Sequence, residues 1–357
     1  MRITSNHSQQ GLLREEVLCL TQENAQNTGI LRIGRRRIIL ETTKRPLVIL
    51  TGPTAVGKTA LSIALAKAIG GEIISADSMQ AYRRMDIGSA KITPEEMDGV
   101  PHHLIDVLEP EQEFNVVLFQ KLAKRAAEEI YGRGRIPIVV GGTGFYIQAL
   151  VYDIDFTEND GDTALRRSLE EQAGREGAEA LYERLRAVDP ESCESIHAHN
   201  IKRVIRAIEF YEKTGEKISD HNRRQRENDA PYNFAYFVLN DSRERIYGRI
   251  NDRVDQMMAQ GLLEEVRALW ESGCRRDMVS MQGLGYKELL SYLEGEISLE
   301  EAVYLIKRDT RHFAKRQLTW FRREKEVTWI EKNVFDYNSQ KILAFMQDFL
   351  REKGIIL

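Results

Sequence analysis

Residues 52–59 read Gly52-Pro53-Thr54-Ala55-Val56-Gly57-Lys58-Thr59, the G-x-x-x-x-G-K-[ST] spacing of a phosphate-binding loop. Such a loop curls its glycine-bearing backbone into a nest of N–H donors, with the positive end of the next helix and a lysine charge aimed at the same point. The flanks agree: the apolar run Leu47 to Leu50 precedes the loop and an amphipathic segment from Thr59 to Ile69 follows it. The ligand this predicts carries a diphosphate or a triphosphate.

A triphosphatase adds an acid at the end of a later strand, to hold magnesium and place water. Here the strand Ile136 to Val140 runs instead into Gly141-Gly142-Thr143-Gly144, and the carboxylate comes from Asp77, which closes the apolar run Glu72 to Ala76. Three readings of Asp77 are open: general base, metal partner, or cap of its own turn. The glycine-threonine run is either a second set of backbone donors with one hydroxyl or a turn that needs positive φ. His102-His103 suggests a metal, but neighbouring side chains point apart and no third ligand lies close in sequence, so a structural role is expected.

The elements that must position these groups follow from periodicity. Strand, loop, helix and strand open a βαβ unit. A helix expected over Val116 to Tyr131 aligns Phe119, Leu122, Ala123, Ala126 and Ile130 on one stripe and leads into the strand at Ile136. Helices alternating with apolar strands predict an α/β fold, a doubly wound parallel sheet of P-loop type, with its ligands beyond the carboxyl ends of the strands. Thr51, Asp77 and Thr143 each close a strand and are expected to face one cleft. Between about Phe156 and Pro231 the strand signals vanish, which predicts a helical insertion with Leu165, Leu169, Leu181, Leu185 and Val188 as its apolar contacts. A core strand is expected again at Phe234 to Leu239, followed by long helices to about Trp320. The domains implied are a polar, poorly ordered extension over 1–45, a catalytic core over 46–157 and 232–335, an insertion over 158–231 and a C-terminal helix over 336–357.

The 357 residues carry 51 Lys and Arg against 55 Asp and Glu, and a net charge of -4 taken alone argues against a nucleic-acid partner. The distribution argues otherwise. From Ala302 to Lys325 stand Lys307, Arg308, Arg311, Lys315, Arg316, Arg322, Arg323 and Lys325 against Asp309 and Glu324, and a second basic stretch runs from Lys202 to Arg226. Solvated helix faces and a polyanionic partner both account for such runs. Cys19, Cys193 and Cys274 form no C-x-x-C pair, so neither a disulfide framework nor a cysteine zinc site is indicated. With no apolar stretch long enough to span a bilayer, a cytoplasmic protein without membrane contact is expected.

Taken in order, these segments resemble one family, the tRNA dimethylallyltransferases (tRNA isopentenyltransferases) of the bacterial type. The resemblance runs through the phosphate loop, Ile74 to Tyr82, Met85 to Lys91, Pro101 to Asp106, Val140 to Gly144, Arg203 to Glu209, Gly285 to Leu289 and Lys315 to Trp320, and so covers about 46–330. It implies transfer of a dimethylallyl group from dimethylallyl diphosphate to N6 of adenosine 37 in the anticodon arm of tRNA, with Mg2+ as cofactor and a monomeric enzyme. It also implies roles. Asp77 matches the general base, and Ser78, Met79 and Gln80 complete the segment that meets the tRNA. Gly52 and Thr54, Ala55, Val56, Gly57, Lys58 and Thr59 match the diphosphate cradle, with Thr59 reaching the metal. Thr143 matches the mouth of the channel for the extruded adenine, and Arg243 an arginine linked to the diphosphate. Lys202, Arg203, Val204, Ile205 and Arg206 match a tRNA-contacting stretch, to which the basic pattern adds Lys315 and Arg316. Two departures stand out: the insertion reads His197-Ala198-His199-Asn200 where the family often has His-x-Asn-Asp, and residues 1–45 have no counterpart in the family pattern.

Two other functions share parts of this pattern. A small-molecule or nucleotide kinase would use the same loop and a strand-end Asp but has no need of the basic helices. A P-loop RNA-binding module without catalysis would tolerate loss of Asp77.

Overall fold

The computed structural model describes residues 28–33, 36–41, 44–156, 163–227 and 229–357. Strands β1 (Thr28–Ile33) and β2 (Arg36–Glu41) pair antiparallel, with Ile30 opposite Ile39, as a unit of their own. The sequence pattern predicts no regular element there. Residues 1–27 of the extension, Cys19 among them, lie outside the described residues.

The second unit, Arg45–Leu357, is built on a sheet whose six strands are all parallel. They are β3 (Arg45–Thr51), β4 (Gly71–Ser75), β5 (His102–His103), β6 (Ile136–Gly141), β7 (Tyr232–Asn240) and β8 (Val327–Glu331), ordered β5-β4-β6-β3-β7-β8. Their near-continuous apolar runs follow from burial on both faces. Alternation along β3 sends Leu47 and Ile49 into one core and Val48 and Leu50 into the other, and β7 likewise divides Phe234, Tyr236 and Val238 from Ala235, Phe237 and Leu239.

Helices α1 (Lys58–Ile69), α2 (Val116–Gly132) and α3 (Gly144–Val151) connect or follow the first strands. The insertion carries α4 (Thr163–Glu176), α5 (Ala178–Val188), α6 (Ile201–Thr214) and α7 (Ile218–Glu227), and closes around its own apolar cluster of Leu169, Leu181, Leu185, Val204 and Ile208. After β7 come α8 (Arg243–Ala259), α9 (Leu262–Glu271), α10 (Tyr286–Leu293) and α11 (Leu299–Phe321). Helix α12 (Ser339–Glu352) lays Ile342, Met346 and Leu350 on the sheet face that also takes Leu61 and Leu65 of α1.

Strand β8 is not foreseen by the sequence pattern, which reads helix up to Trp320 and no strand after it. Its five residues pair with β7 from Tyr236↔Val327 to Asn240↔Glu331. The histidine pair has the structural role expected of it. His103 Nε2 lies 2.8 Å from Glu72 Oε2, and His102 Nδ1 lies 2.8 Å from the Val100 carbonyl. Glu72 also takes the Arg133 fork at 2.9 and 2.7 Å, and that hydrogen bonding holds its buried carboxyl below the usual range.

Candidate active site

The phosphate loop closes β3 and starts α1, and its shape is enforced by its neighbours. Gly52 has φ 145°, and a Cβ there would lie 2.3 Å from the Leu239 carbonyl oxygen at the end of β7, so no other residue fits. Ala55 adopts φ 62° and packs with Ile246, Ile250 and Ala314, which fixes the outer side of the loop on α8 and α11. Lys58 Nζ donates to the Gly52 and Pro53 carbonyls, each at 2.9 Å. Burial lowers its pKa to about 8, against the opposing pull of Asp77. Thr59, on the first turn of α1, is exposed.

Asp77 follows β4, across from this loop. Its Oδ1 accepts from the Met79 N–H at 3.0 Å, so it does cap its own turn. The same carboxylate faces the cleft: burial raises its pKa, while the Met79 hydrogen bond and the charges of Lys58 and Arg253 hold it down. The neighbouring segment is largely engaged within the protein. Gln80 bonds the Ser75 hydroxyl at 3.3 Å and the Ala90 carbonyl at 3.2 Å, and Met79 packs on Gly283.

Thr143 sits at the N-cap of α3, yet its hydroxyl makes no capping bond. A threonine in that position normally caps, so this hydroxyl lacks its usual partner. Its N–H reaches the Ala76 carbonyl at 3.4 Å, which ties the Gly141–Gly144 turn to the residue before Asp77. Thr51 departs from expectation. It is fully buried, and its hydroxyl donates to the Gly141 carbonyl at 2.6 Å, bracing β3 against β6 instead of facing the cleft.

The basic stretches are resolved residue by residue. Lys202 and Arg203 are exposed on α6, whereas Val204 and Ile205 are buried in the core of the insertion and Arg206 is half-buried near Glu209 and Arg166. Side-chain contact with RNA at Val204 and Ile205 is therefore ruled out by burial. His312, Lys315, Arg316, Thr319 and Trp320 of α11, with Arg323 just beyond its end, line one shallow groove of about 380 Å³. Among the described residues, Lys202, Arg203, Lys315, Arg316, Arg322 and Arg323 have no carboxylate partner, although most other arginines do. Arg243 lies over the Tyr247 ring, 5.0 Å from its centroid, and lines a cavity of about 350 Å³ with Asn240, Asp241 and Lys315. Ile246 and Ala314, which line the same cavity, pack on Ala55 of the phosphate loop. The α8 arginine whose charge acts on both Asp77 and Lys58 is Arg253.

A match to the family described as IPP transferase spans residues 80–324. The chain belongs to the IPP transferase family. It is 64% identical over 313 residues to a tRNA dimethylallyltransferase of Lachnoclostridium phytofermentans, covering 87% of this chain and 99% of that protein. A tRNA dimethylallyltransferase of Carboxydothermus hydrogenoformans is 49% identical over 309 residues, covering 87% and 97%. Among solved structures, the full-length tRNA isopentenylpyrophosphate transferase of Bacillus halodurans is 45% identical with a TM-score of 0.66, over 87% of this chain and 98% of that one. A eukaryotic dimethylallyltransferase acting on tRNA is 30% identical with a TM-score of 0.75, over 86% and 80%.

Two groups in this IPP transferase site are not singled out by the sequence pattern. Gln317 stands between Ala314 and Phe321 in the buried stripe of α11, and a polar residue inside an apolar stripe is the signal that marks it. Arg253, three residues after the buried Ile250 of α8, is exposed, and no local signal marks it. Lys332, just after β8, is a third such group: it reaches the Val56 carbonyl at 3.3 Å, and only the unforeseen strand puts it there.

Proposed function

We propose that this protein transfers the dimethylallyl group of dimethylallyl diphosphate to N6 of adenosine 37 in the anticodon arm of tRNA, acting as a cytoplasmic monomer. The observation that carries the proposal is Asp77 set across from the phosphate loop, its charge coupled to Lys58, while β6 ends in glycine where a triphosphatase would place its acid. The relatives named tRNA dimethylallyltransferase support the same reading.

The bond formed joins N6 to C1 of the dimethylallyl group, and the bond broken is C1–O. Its electron pair leaves with the diphosphate. Asp77 accepts the proton that N6 gives up, and a pKa raised by burial makes it a better base than an exposed carboxylate. The loop N–H groups and Lys58 meet the charge that develops on the leaving oxygens. An exocyclic amine in a stacked anticodon loop is out of reach, so the adenine must be extruded. The Thr143 hydroxyl, which makes no capping bond, is available to meet it, and Lys202, Arg203, Lys315 and Arg316, which have no carboxylate partner, suit the RNA backbone.

The residues present fit Mg2+. Thr59 offers an exposed hydroxyl with no intramolecular partner, and no group of three His, Cys, Asp or Glu forms a cage among the described residues. That donor set suits an ion held by one hydroxyl, substrate phosphates and its own waters. When bound, it supplies charge neutralisation for the departing diphosphate.

The test is to incubate the purified protein with unmodified tRNA, dimethylallyl diphosphate and magnesium, then digest to nucleosides for mass spectrometry. N6-dimethylallyladenosine is expected. Its absence, with both substrates bound, would contradict the proposal.

A further inference from the structure

One side chain joins the two loops that approach the site. Gln317 Oε1 accepts from the Thr54 N–H at 2.9 Å, and Gln317 Nε2 donates to the Gly142 carbonyl at 3.0 Å. The residue is 6% exposed. The fit has no slack, since a Cβ on Gly142 would lie 2.1 Å from that Nε2. On the far side, the Thr143 N–H reaches the Ala76 carbonyl. A continuous route, Thr54–Gln317–Gly142–Thr143–Ala76, thus leads from the donor cradle to the residue before Asp77.

We propose that Gln317 is a positioning residue for group transfer, setting the separation between the diphosphate cradle and the turn that carries Thr143. The inference rests on the transferase reading above. The neutral amide offers an acceptor to the Thr54 N–H and a donor to the Gly142 carbonyl at the same time, from two atoms set apart at the end of a side chain long enough to span both. Glutamate keeps the acceptor and loses the donor, asparagine is one methylene too short to span both, and methionine offers neither strong bond. The bridge also consumes the Thr54 N–H, so the donors left for the diphosphate come from later in the loop. Displacement at C1 needs nucleophile and leaving group aligned, and a misplacement of about 1 Å costs on the order of 10²-fold in rate.

The experiment compares wild type, Q317N, Q317E and Q317M in single-turnover transfer with both substrates saturating. Equilibrium affinities for tRNA and for donor, and the active fraction, are measured in parallel. Q317N and Q317M are expected to slow the transfer step by roughly 10- to 100-fold while tRNA affinity stays within about twofold. Q317E adds a carboxylate beside the cradle and is expected to weaken donor binding as well. A role limited to packing would lower melting temperature and active fraction but leave the rate constant of the active fraction unchanged. That pattern, or transfer within about threefold of wild type in folded Q317N or Q317M, overturns the positioning role alone. A wild type that transfers nothing overturns the transferase reading and this inference together.

Discussion

Lys58 and Asp77 each favour the other's ionised form: Asp77 is the leading charge acting on the lysine, and Lys58 is the leading charge acting on the carboxylate. Burial opposes both, lowering Lys58 to about 8 and raising Asp77 above its usual range. In the proposed reaction, a diphosphate entering the loop would take over the role of counter-charge for Lys58 and leave Asp77 to accept a proton.

This pairing sets a pH profile. Activity of the free enzyme needs Asp77 deprotonated and Lys58 protonated, so it rises as pH passes the raised Asp77 value and falls as pH passes about 8, where Lys58 gives up its proton. A bell-shaped profile of kcat/KM for the donor is expected. In K58R the guanidinium stays charged, so the alkaline limb should move upward even if the peak is lower. A limb that stays in place in K58R would detach it from Lys58.

Asp77→Asn removes the base while keeping size and the acceptor for the Met79 N–H. Turnover is expected to fall by roughly 10² to 10⁴ with tRNA affinity and melting temperature little changed. Near-wild-type turnover would take Asp77 out of the mechanism.

The exposed cations proposed to meet the RNA are tested by salt. Charge removal at Arg203, Lys315 or Arg316 should weaken tRNA binding and flatten the log–log salt dependence by about 0.7 to 0.9 per lost contact. Arg206, half-buried beside Glu209, should affect folding more than the salt slope. Filter-binding titrations with unchanged slopes for the first three variants would return these residues to solvated faces.

Much of this site was legible in sequence because the motifs mark backbone geometry. The loop at Gly52 to Thr59, the strand ends at Asp77 and Thr143, and the helical insertion all follow from periodicity and glycine placement. Three features were hidden. β8 is too short to announce itself beside a long helix and forms because the edge of β7 pairs with it. Arg253 carries no local signal, and the position of Gln317 in the apolar stripe of α11 marks its burial but not its partners Thr54 and Gly142. Val204 and Ile205 lie in a basic stretch, yet the helical period turns them inward.

Glu324 gives a prediction about stability. Its Oε2 is buried without a hydrogen-bond partner, as is the Tyr236 hydroxyl, and burial pushes its pKa from 4.5 to about 7. The folded state therefore holds this proton more tightly than the unfolded chain. Its contribution to stability is present below about 4.5 and is lost as pH rises through about 7. E324Q should raise stability by about 1–2 kcal/mol at pH near 8 and leave it unchanged at pH near 4. Melting curves showing E324Q less stable at the higher pH would contradict this account of the burial.

The central claim is that the phosphate loop serves an isoprenoid diphosphate and that no water is activated at the end of β6. The most direct measurement follows prenyl transfer and ATP hydrolysis in one reaction containing tRNA, dimethylallyl diphosphate, ATP and magnesium. The expected result is N6-dimethylallyladenosine formed in step with diphosphate release while ATP is not consumed, and loss of that transfer in Lys58→Ala by roughly 3–4 kcal/mol of barrier. Rapid tRNA-dependent ATP turnover without prenylated adenosine would contradict it.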